Sequence, residues 1–336
     1  MKQAKFLGLG LAAVALTIGL AACGGNSKKN ANTKGDPQHS VVMVTDTAGI
    51  DDKSFNQSAW EGMQEWGKEH KLPEGPQGYA YIQSNEASDY TSNIDQAISS
   101  QFKTIFGIGY LLKNAVVDAA DANPETNFVL IDDTVNGKNN VASATFRDNE
   151  SAYLAGVAAA NTTKTNKVGF IGGVEGPVIG RFQAGFEKGV ADASKGRALA
   201  SSMYQAGADI IYHAAATTGQ GIFQEAKALN ETGSKDKVWV IGVDRDQNED
   251  GKYTTKDGKD DNLTLASTIK GVNIAVKKIS DLALEDKFPG GEHLTYGLKD
   301  GGVDLTTEAL SDQAKTAVKE AKEQIISGDV KVPDQP

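Results

Sequence analysis

Three carboxylates and one ammonium each come directly after a short apolar run of this chain. The residues are Asp46, Asp132, Asp244 and Lys270. Carboxylates accept hydrogen bonds from hydroxyl and ring N–H groups, and an ammonium donates to hydroxyl oxygens. Phe55, a little beyond Asp46, could offer its aromatic face to a flat ring. This inventory favours a binding site for a neutral polyol that carries a flat heterocycle.

The elements that must position these side chains alternate between strand and helix. Such alternation predicts an α/β fold with parallel sheets. Because ligands bind at the carboxyl ends of parallel strands, the four polar residues should face a common cleft. The pattern restarts near residue 167, which indicates two Rossmann-like lobes joined by a hinge. Strands are predicted at 41–44, 79–83, 104–108, 128–131, 141–145, 167–171, 210–213, 238–243, 263–269 and 293–296, and helices at 53–69, 88–100, 113–122, 149–160, 177–190, 195–206, 221–229, 270–284 and 311–326.

One strand is absent from the second half of this pattern. The predicted helices 177–190 and 195–206 follow each other directly, whereas the first half has a strand at the corresponding place. The second lobe is therefore expected to lack one strand–helix connection. An exposed apolar sheet edge could cost several kcal/mol, which is a large share of the stability of a domain.

The amino terminus has the features of a lipoprotein signal. Lys2 and Lys5 precede an apolar stretch, which ends in Leu-Ala-Ala-Cys23. We expect a signal peptide over 1–22, a lipid on Cys23, and a flexible tether over 23–40 that holds the protein at the outer face of the cell membrane. A signal anchor or a fortuitous cysteine are the alternatives.

Composition excludes several classes of function. The net charge is −10, and an acidic chain without basic clusters is a poor nucleic-acid binder. Cys23 is the single cysteine, so neither an internal disulfide nor a cysteine-based metal site can form. No cofactor-binding motif, nucleophile elbow or P-loop is present in the sequence, which argues against an enzyme.

The stretch 46–62, DTAGIDDKSFNQSAWEG, resembles the basic membrane protein family of lipoproteins. That family includes the purine nucleoside receptors of bacterial ABC importers, so the resemblance implies a type I periplasmic binding protein fold. It implies a first lobe of 41–147 plus about 271–290 and a second lobe of 148–270 plus about 291–336. The implied function is capture of a nucleoside, with purine nucleosides favoured, for a permease with a separate ATPase. A monomer without a cofactor is expected.

The resemblance also implies individual site residues. Asp46, Phe55, Asn56 and Asp132 match base-side positions of the family, and Gly221, Asp244 and Lys270 match ribose-side positions. The family's second stacking aromatic lies in the segment absent here. Phe182 or Phe186 could replace it, or stacking could be one-sided. Spacing alone would instead make Phe55 a core residue and Lys270 a surface lysine.

Three alternatives remain open from the sequence. Asp246, Asn248, Asp250 and Asp257 have calcium-loop spacing, although a polar hairpin would look the same. A lipid-anchored nucleoside hydrolase could use a carboxylate pair. A signalling or adhesion lipoprotein would bind a protein partner instead of a small molecule.

Overall fold

The structure is a computed structural model that describes residues 39–193, 208–233 and 236–335. Helices and strands alternate along most of this length, as predicted. In chain order they are β1 Val41–Val44, α1 Phe55–Glu69, β2 Tyr79–Ile82, α2 Asp89–Ser99, β3 Thr104–Ile108, α3 Lys113–Ala122, β4 Asn127–Ile131, β5 Val141–Phe146, α4 Asp148–Thr162, β6 Val168–Gly172, α5 Pro177–Ala193, β7 Ile210–Ala214, α6 Ala216–Thr232, β8 Trp239–Gly242, β9 Lys252–Thr254, β10 Asp260–Asn262, β11 Thr264–Lys270, α7 Val272–Leu284, β12 His293–Tyr296, β13 Val303–Leu305 and α8 Asp312–Ser327.

The first lobe is built on a parallel sheet in the order β12-β5-β4-β3-β1-β2. Its central strands are short, apolar and completely buried, because helices cover both faces of the sheet. On one face, Met63 and Trp66 of α1 reach the core from a single stripe of the helix. This packing holds the carboxyl ends of β1, β3 and β4 side by side.

The second lobe has a sheet in the order β13-β11-β8-β7-β6, in which only β13 runs antiparallel to its neighbour. Comparison of the two sheets pairs β6 with β1 and β8 with β4. The first sheet continues beyond β1 to β2, whereas no strand among the described residues lies beyond β6. This agrees with the expected loss of one strand. Ile171 at this edge is 38% exposed. The predicted helix 195–206 falls outside the described residues.

The last boundary between the lobes differs from the prediction. Residues from about 291 were assigned to the second lobe, but His293–Tyr296 pairs in parallel with β5 of the first sheet. The backbone hydrogen bonds of β12 are therefore satisfied in the first lobe, and the chain crosses to β13 only after Tyr296. The other crossings follow β5 and β11, since α4 packs against α5 and α7 packs against α1.

Helices α4 and α5 cross at unusually short range. A Cβ atom on Gly185 would lie 2.2 Å from the carbonyl oxygen of Asn149, and one on Gly189 would lie 2.1 Å from that of Tyr153. Side chains at these two positions of α5 would push the helices apart, so glycine is required here.

Candidate functional site

The loop before α1 is organised by Asp52, which is almost completely buried. Its carboxylate accepts hydrogen bonds from the backbone N–H groups of Ser54, at 2.8 Å, and of Asn56, at 2.8 Å. The helix was predicted from about residue 53 but begins at Phe55, because Lys53 has a positive φ of 56°. The turn therefore fixes where the side chains of Ser54, Phe55 and Asn56 point.

Asp46 and Asn56 form a hydrogen-bonded pair at the end of β1. The Asn56 amide donates to Asp46 Oδ1 at 2.8 Å, and the backbone N–H of Ala48 donates to the same oxygen at 2.9 Å. Burial raises the pKa of Asp46, although these two hydrogen bonds partly oppose the shift. Asn56 Oδ1 is buried and has no hydrogen-bond partner in the described part of the chain. The pair thus presents acceptor atoms to any ligand N–H group.

Gly109 lets the β3 loop approach this pair closely. Its φ is +111°, and a Cβ atom there would lie 3.6 Å from the Phe55 ring and 3.7 Å from Asp46 Oδ2. Glycine suits this position because it adopts a positive φ at no steric cost and leaves room between the β3 loop and the pair.

Lys270 lies at the centre of a buried charge cluster formed by both lobes. Its ammonium lies 2.7 Å from Asp132 Oδ2 in the first lobe and 3.2 Å from Asp148 Oδ1 in α4. Burial alone would lower the pKa of Lys270, but Asp132, Asp148 and Asp244 together raise it. Lys270 is only 3% exposed, so it is not the surface lysine that spacing alone would suggest.

Asp148 is held from its other side by Arg181 of α5. The guanidinium donates to Asp148 Oδ2 from Nε at 3.1 Å and from a terminal nitrogen at 3.0 Å. Asp148 is completely buried. Neither residue was predicted as part of the site.

Three aromatic rings surround the Lys270 ammonium. Its nitrogen lies 5.1 Å from the ring centre of Phe55, 5.2 Å from that of Phe146 and 5.5 Å from that of Phe182. Phe55 belongs to the first lobe and Phe182 to the second. These distances are within the range of cation–π attraction. Phe186, in contrast, packs against Tyr212, with ring centres 5.1 Å apart, in the core of the second lobe.

Asp132 and Asp244 occupy equivalent places in the two lobes. They follow β4 and β8, and both have a positive φ, of 74° and 67°. Asp tolerates this backbone conformation better than most residues, and it turns both carboxylates into the cleft. Burial raises the pKa of both carboxyls, that of Asp244 to about 7, while the Lys270 ammonium opposes the shift. The Ser54 hydroxyl donates a hydrogen bond to Asp244 Oδ2 across the cleft.

Further contacts join the lobes at the rim of the cleft. The Lys53 ammonium lies 2.9 Å from Asp250 Oδ1, and Arg245 lies 3.1 Å from Glu61 Oε1. The Gln247 amide also donates to the carbonyl oxygen of Lys53 at 3.3 Å. The lobes are therefore in contact, and the polar groups predicted to bind a ligand are paired with one another.

A cavity of about 490 Å³ adjoins the charge cluster on the side of β5 and β12. Asp132 is the one predicted site residue in its lining, together with Phe146 and Arg181 from the cluster. We assign the binding chemistry to the cluster and not to this cavity, because the cluster brings Lys270 and Asp132 together beside Phe55 and Phe182.

The remaining predicted residues are scattered. Gly221 is exposed in α6, and nothing lies within 4 Å of its Cβ position. Cys23 lies outside the described residues. Of the residues with calcium-loop spacing, Asp250 pairs with Lys53 and Asp257 pairs with Lys259. The strands β9 and β10 that follow Asp250 pair as an antiparallel hairpin.

No group of three or more His, Cys, Asp or Glu side chains in residues 39–193, 208–233 and 236–335 could hold a metal ion. Within the same ranges, every helix is too short or too polar to cross a membrane.

Known proteins resemble this chain over almost its whole length. A protein named ABC transporter nucleoside-binding protein BmpA, from Lactococcus lactis subsp. cremoris, is 48% identical, with 97% of each chain covered. That alignment runs over 345 positions, more than the 336 residues here, so some of its positions have no counterpart in this chain. A protein named CD4+ T-cell-stimulating antigen, from Listeria monocytogenes, is 46% identical, with 96% of each chain covered.

A solved structure shows the same fold. An ABC transporter solute-binding protein from Aeropyrum pernix matches with a TM-score of 0.75 at 24% identity, covering 88% of this chain and 93% of its own. The family model described as ABC transporter substrate-binding protein PnrA-like matches residues 39–336. Both the two-lobed α/β fold and the family resemblance are therefore confirmed. The chain belongs to the Bmp family of PnrA-like substrate-binding proteins of ABC transporters.

Proposed function

We propose that this protein captures nucleosides, with purine nucleosides favoured, in the cleft between its lobes. It then delivers them to an ABC permease, whose separate ATPase drives import. Membership of a substrate-binding family supports the transport role. The name of the relative from Lactococcus lactis supports the class of ligand.

One observation carries this proposal: the ring centres of Phe55 and Phe182, from opposite lobes, lie 5.1 Å and 5.5 Å from the same buried point. That point is now occupied by the Lys270 ammonium. A flat base that entered beside the ammonium would meet an aromatic face from each lobe. Around it, Asp46, Asn56 and Asp132 offer acceptors to ring N–H groups.

The ribose has a complementary set of groups in this proposal. Asp244 would accept hydrogen bonds from vicinal hydroxyls, and Lys270 would donate to their oxygens. Gly221 is proposed to approach the ribose only in the complex, since it touches none of these residues in the structure. The ligand is neutral and is released intact, so no catalysis is proposed.

The proposed location follows from the amino-terminal signal. A lipid on Cys23 and the tether that follows would hold the monomeric protein at the outer face of the membrane, within reach of the permease. Mass spectrometry of the protein extracted from membranes would detect the acyl chains on Cys23, and their absence would refute the anchor.

The test of function is a thermal-shift screen of the mature chain against nucleosides, free bases, sugars, amino acids and calcium. A ligand at a hundred times its Kd stabilises the folded state by ~2.7 kcal/mol, which raises Tm measurably. We expect a shift with purine nucleosides. Chromatography of the incubated nucleoside should recover it unchanged. Recovery of free base would favour a hydrolase, and a cooperative melt that no small molecule shifts would favour an adhesion role.

A further inference from the structure

The Lys270 ammonium has two buried carboxylate partners that belong to different lobes. Asp132 follows β4 in the first lobe, whereas Asp148 opens α4, which packs against β11, the strand that carries Lys270. We propose that Asp148 is a positioning residue for nucleoside capture, which holds the Lys270 ammonium when an entering ligand takes over Asp132. This inference rests on the proposed function.

The need for a second partner comes from burial. Asp132 Oδ2 accepts from Lys270, while Asp132 Oδ1 is buried and has no hydrogen-bond partner among the described residues. A ligand N–H group would therefore find its acceptor at Asp132 and draw that carboxylate away from the ammonium. A buried ammonium that loses its only counter-charge is strongly destabilised. With Asp148 at 3.2 Å, the ammonium of Lys270 keeps a carboxylate partner throughout.

The orientation of Asp148 suits this role. Arg181 makes both of its hydrogen bonds to Oδ2, which leaves Oδ1 free of other partners among the described residues and 3.2 Å from the Lys270 ammonium, as an ion pair without hydrogen-bond geometry. The carboxylate also lies in the first turn of α4, where free backbone N–H groups and the helix dipole favour a negative charge. Asp148 is thus fixed before any ligand arrives.

The Lys270 ammonium also needs a second carboxylate partner when the lobes open. Asp132 moves with the first sheet, so its contact with Lys270 breaks when the cleft opens. Asp148 and Lys270 both belong to the second lobe, and their contact persists. Asp148 therefore retains the ammonium beside Phe182, ready for a ligand hydroxyl.

The test measures the Kd of adenosine, which has no group that titrates at mildly alkaline pH, by calorimetry as a function of pH. The charged groups that face Lys270 are Asp132 from the end of β4, Asp148 from α4 and Asp244 from the end of β8, with Arg181 of α5 behind Asp148. Removing one of these carboxylates lowers the pKa of Lys270. In Asp148→Asn we expect affinity at neutral pH to fall at least about tenfold. We also expect a further loss of affinity at alkaline pH, which begins at a lower pH in the variant than in the wild type.

Arg181→Met is the matched control. It removes the link between α4 and α5 but leaves the Asp148 carboxylate beside Lys270. We expect a lower Tm with the wild-type dependence of Kd on pH. If Arg181→Met reproduced the alkaline loss of Asp148→Asn, Asp148 would act only by clamping the two helices, and the inference would be overturned.

Two other results are equally decisive. Wild-type affinity and the wild-type pH profile in Asp148→Asn would overturn the inference and leave the proposed function intact. Absence of nucleoside binding by the wild type would instead remove the proposed function itself. Should Asp148→Asn not fold, Asp148→Glu replaces it: the longer side chain keeps the charge but shifts the ammonium, so we expect weaker binding with an unchanged pH profile, and unaltered affinity would count against the proposal.

Discussion

The Ser54 hydroxyl and the Asp244 carboxylate are hydrogen-bonded across the cleft, although 190 residues separate them along the chain. Ser54 thus occupies the acceptor that we assign to a ribose hydroxyl. We expect Ser54→Ala to bind nucleosides several-fold more tightly, because a competing hydrogen bond of about 1 kcal/mol is removed. Calorimetry measures the change. Ser58→Ala, at a buried serine within α1, is the control and should bind as the wild type does. Weaker binding by Ser54→Ala would mean that Ser54 supports Asp244 and does not compete with the ligand.

The ion pair of Lys53 with Asp250 should favour the closed form. Asp250→Asn removes it without touching the proposed ligand contacts. Exposed ion pairs contribute roughly 0–1 kcal/mol, so we expect affinity to fall by up to about fivefold at low salt. The difference from wild type should shrink as salt screens the pair. Asp257→Asn breaks an ion pair within the β9–β10 hairpin and should leave affinity unchanged. Equal effects of the two variants would argue against a role in closure.

The two phenylalanines of α5 should have different roles, Phe182 in nucleoside binding and Phe186 in the stability of the second lobe. Phe182 faces the Lys270 ammonium, whereas Phe186 packs on Tyr212. We expect Phe182→Leu to weaken nucleoside binding by roughly 1–3 kcal/mol through loss of stacking. Phe186→Leu should lower Tm and leave Kd near the wild-type value. Calorimetry and thermal melts of both variants give the comparison, and a greater loss of affinity in Phe186→Leu would reverse the assignment.

Asp244 should make the unliganded protein less stable as the pH rises. Its pKa is about 7 in the folded protein and near 3.8 when unfolded. The folded state therefore binds the Asp244 proton more tightly than the unfolded state does. The stabilisation that this proton gives is complete below about pH 4 and is lost as the pH rises through 7. The shift corresponds to roughly 4 kcal/mol. Denaturant unfolding between pH 4 and 8 should show a shallower decline in Asp244→Asn than in wild type. Parallel curves would exclude Asp244 as the source.

Some of this site was predictable because its signal is local. Asp132 and Asp244 each follow an apolar strand, and strand ends are where clefts form in α/β folds. Asp148 carries no such signal, since a carboxylate in the first turn of a helix is ordinarily a cap. Its partners are distant in sequence, and only packing brings them together. The sequence likewise could not separate Phe182 from Phe186, because residues four apart share one face of a helix. Packing of α5 on the second sheet places Phe186 against Tyr212 and Phe182 beside Lys270.

The last boundary between the lobes was also mispredicted because local sequence does not determine which distant strands pair. Residues 293–296 form a strand wherever they pair, and their apolar alternation does not say which sheet they join. The partner is set by the three crossings of the chain, which are a property of the whole topology. Composition and spacing predict elements well, but they do not assign elements to lobes.

The close crossing of α4 and α5 limits how this protein can move. With helix backbones meeting at Gly185 and Gly189, neither helix can slide along the other without a collision. Both must rotate together as one block with the second sheet. We expect the axis of that rotation to pass through the three crossings, one of which is the short link at Arg147 before α4. A substitution at Arg147 should therefore alter the angle through which the lobes close, although Arg147 is not among the proposed ligand contacts.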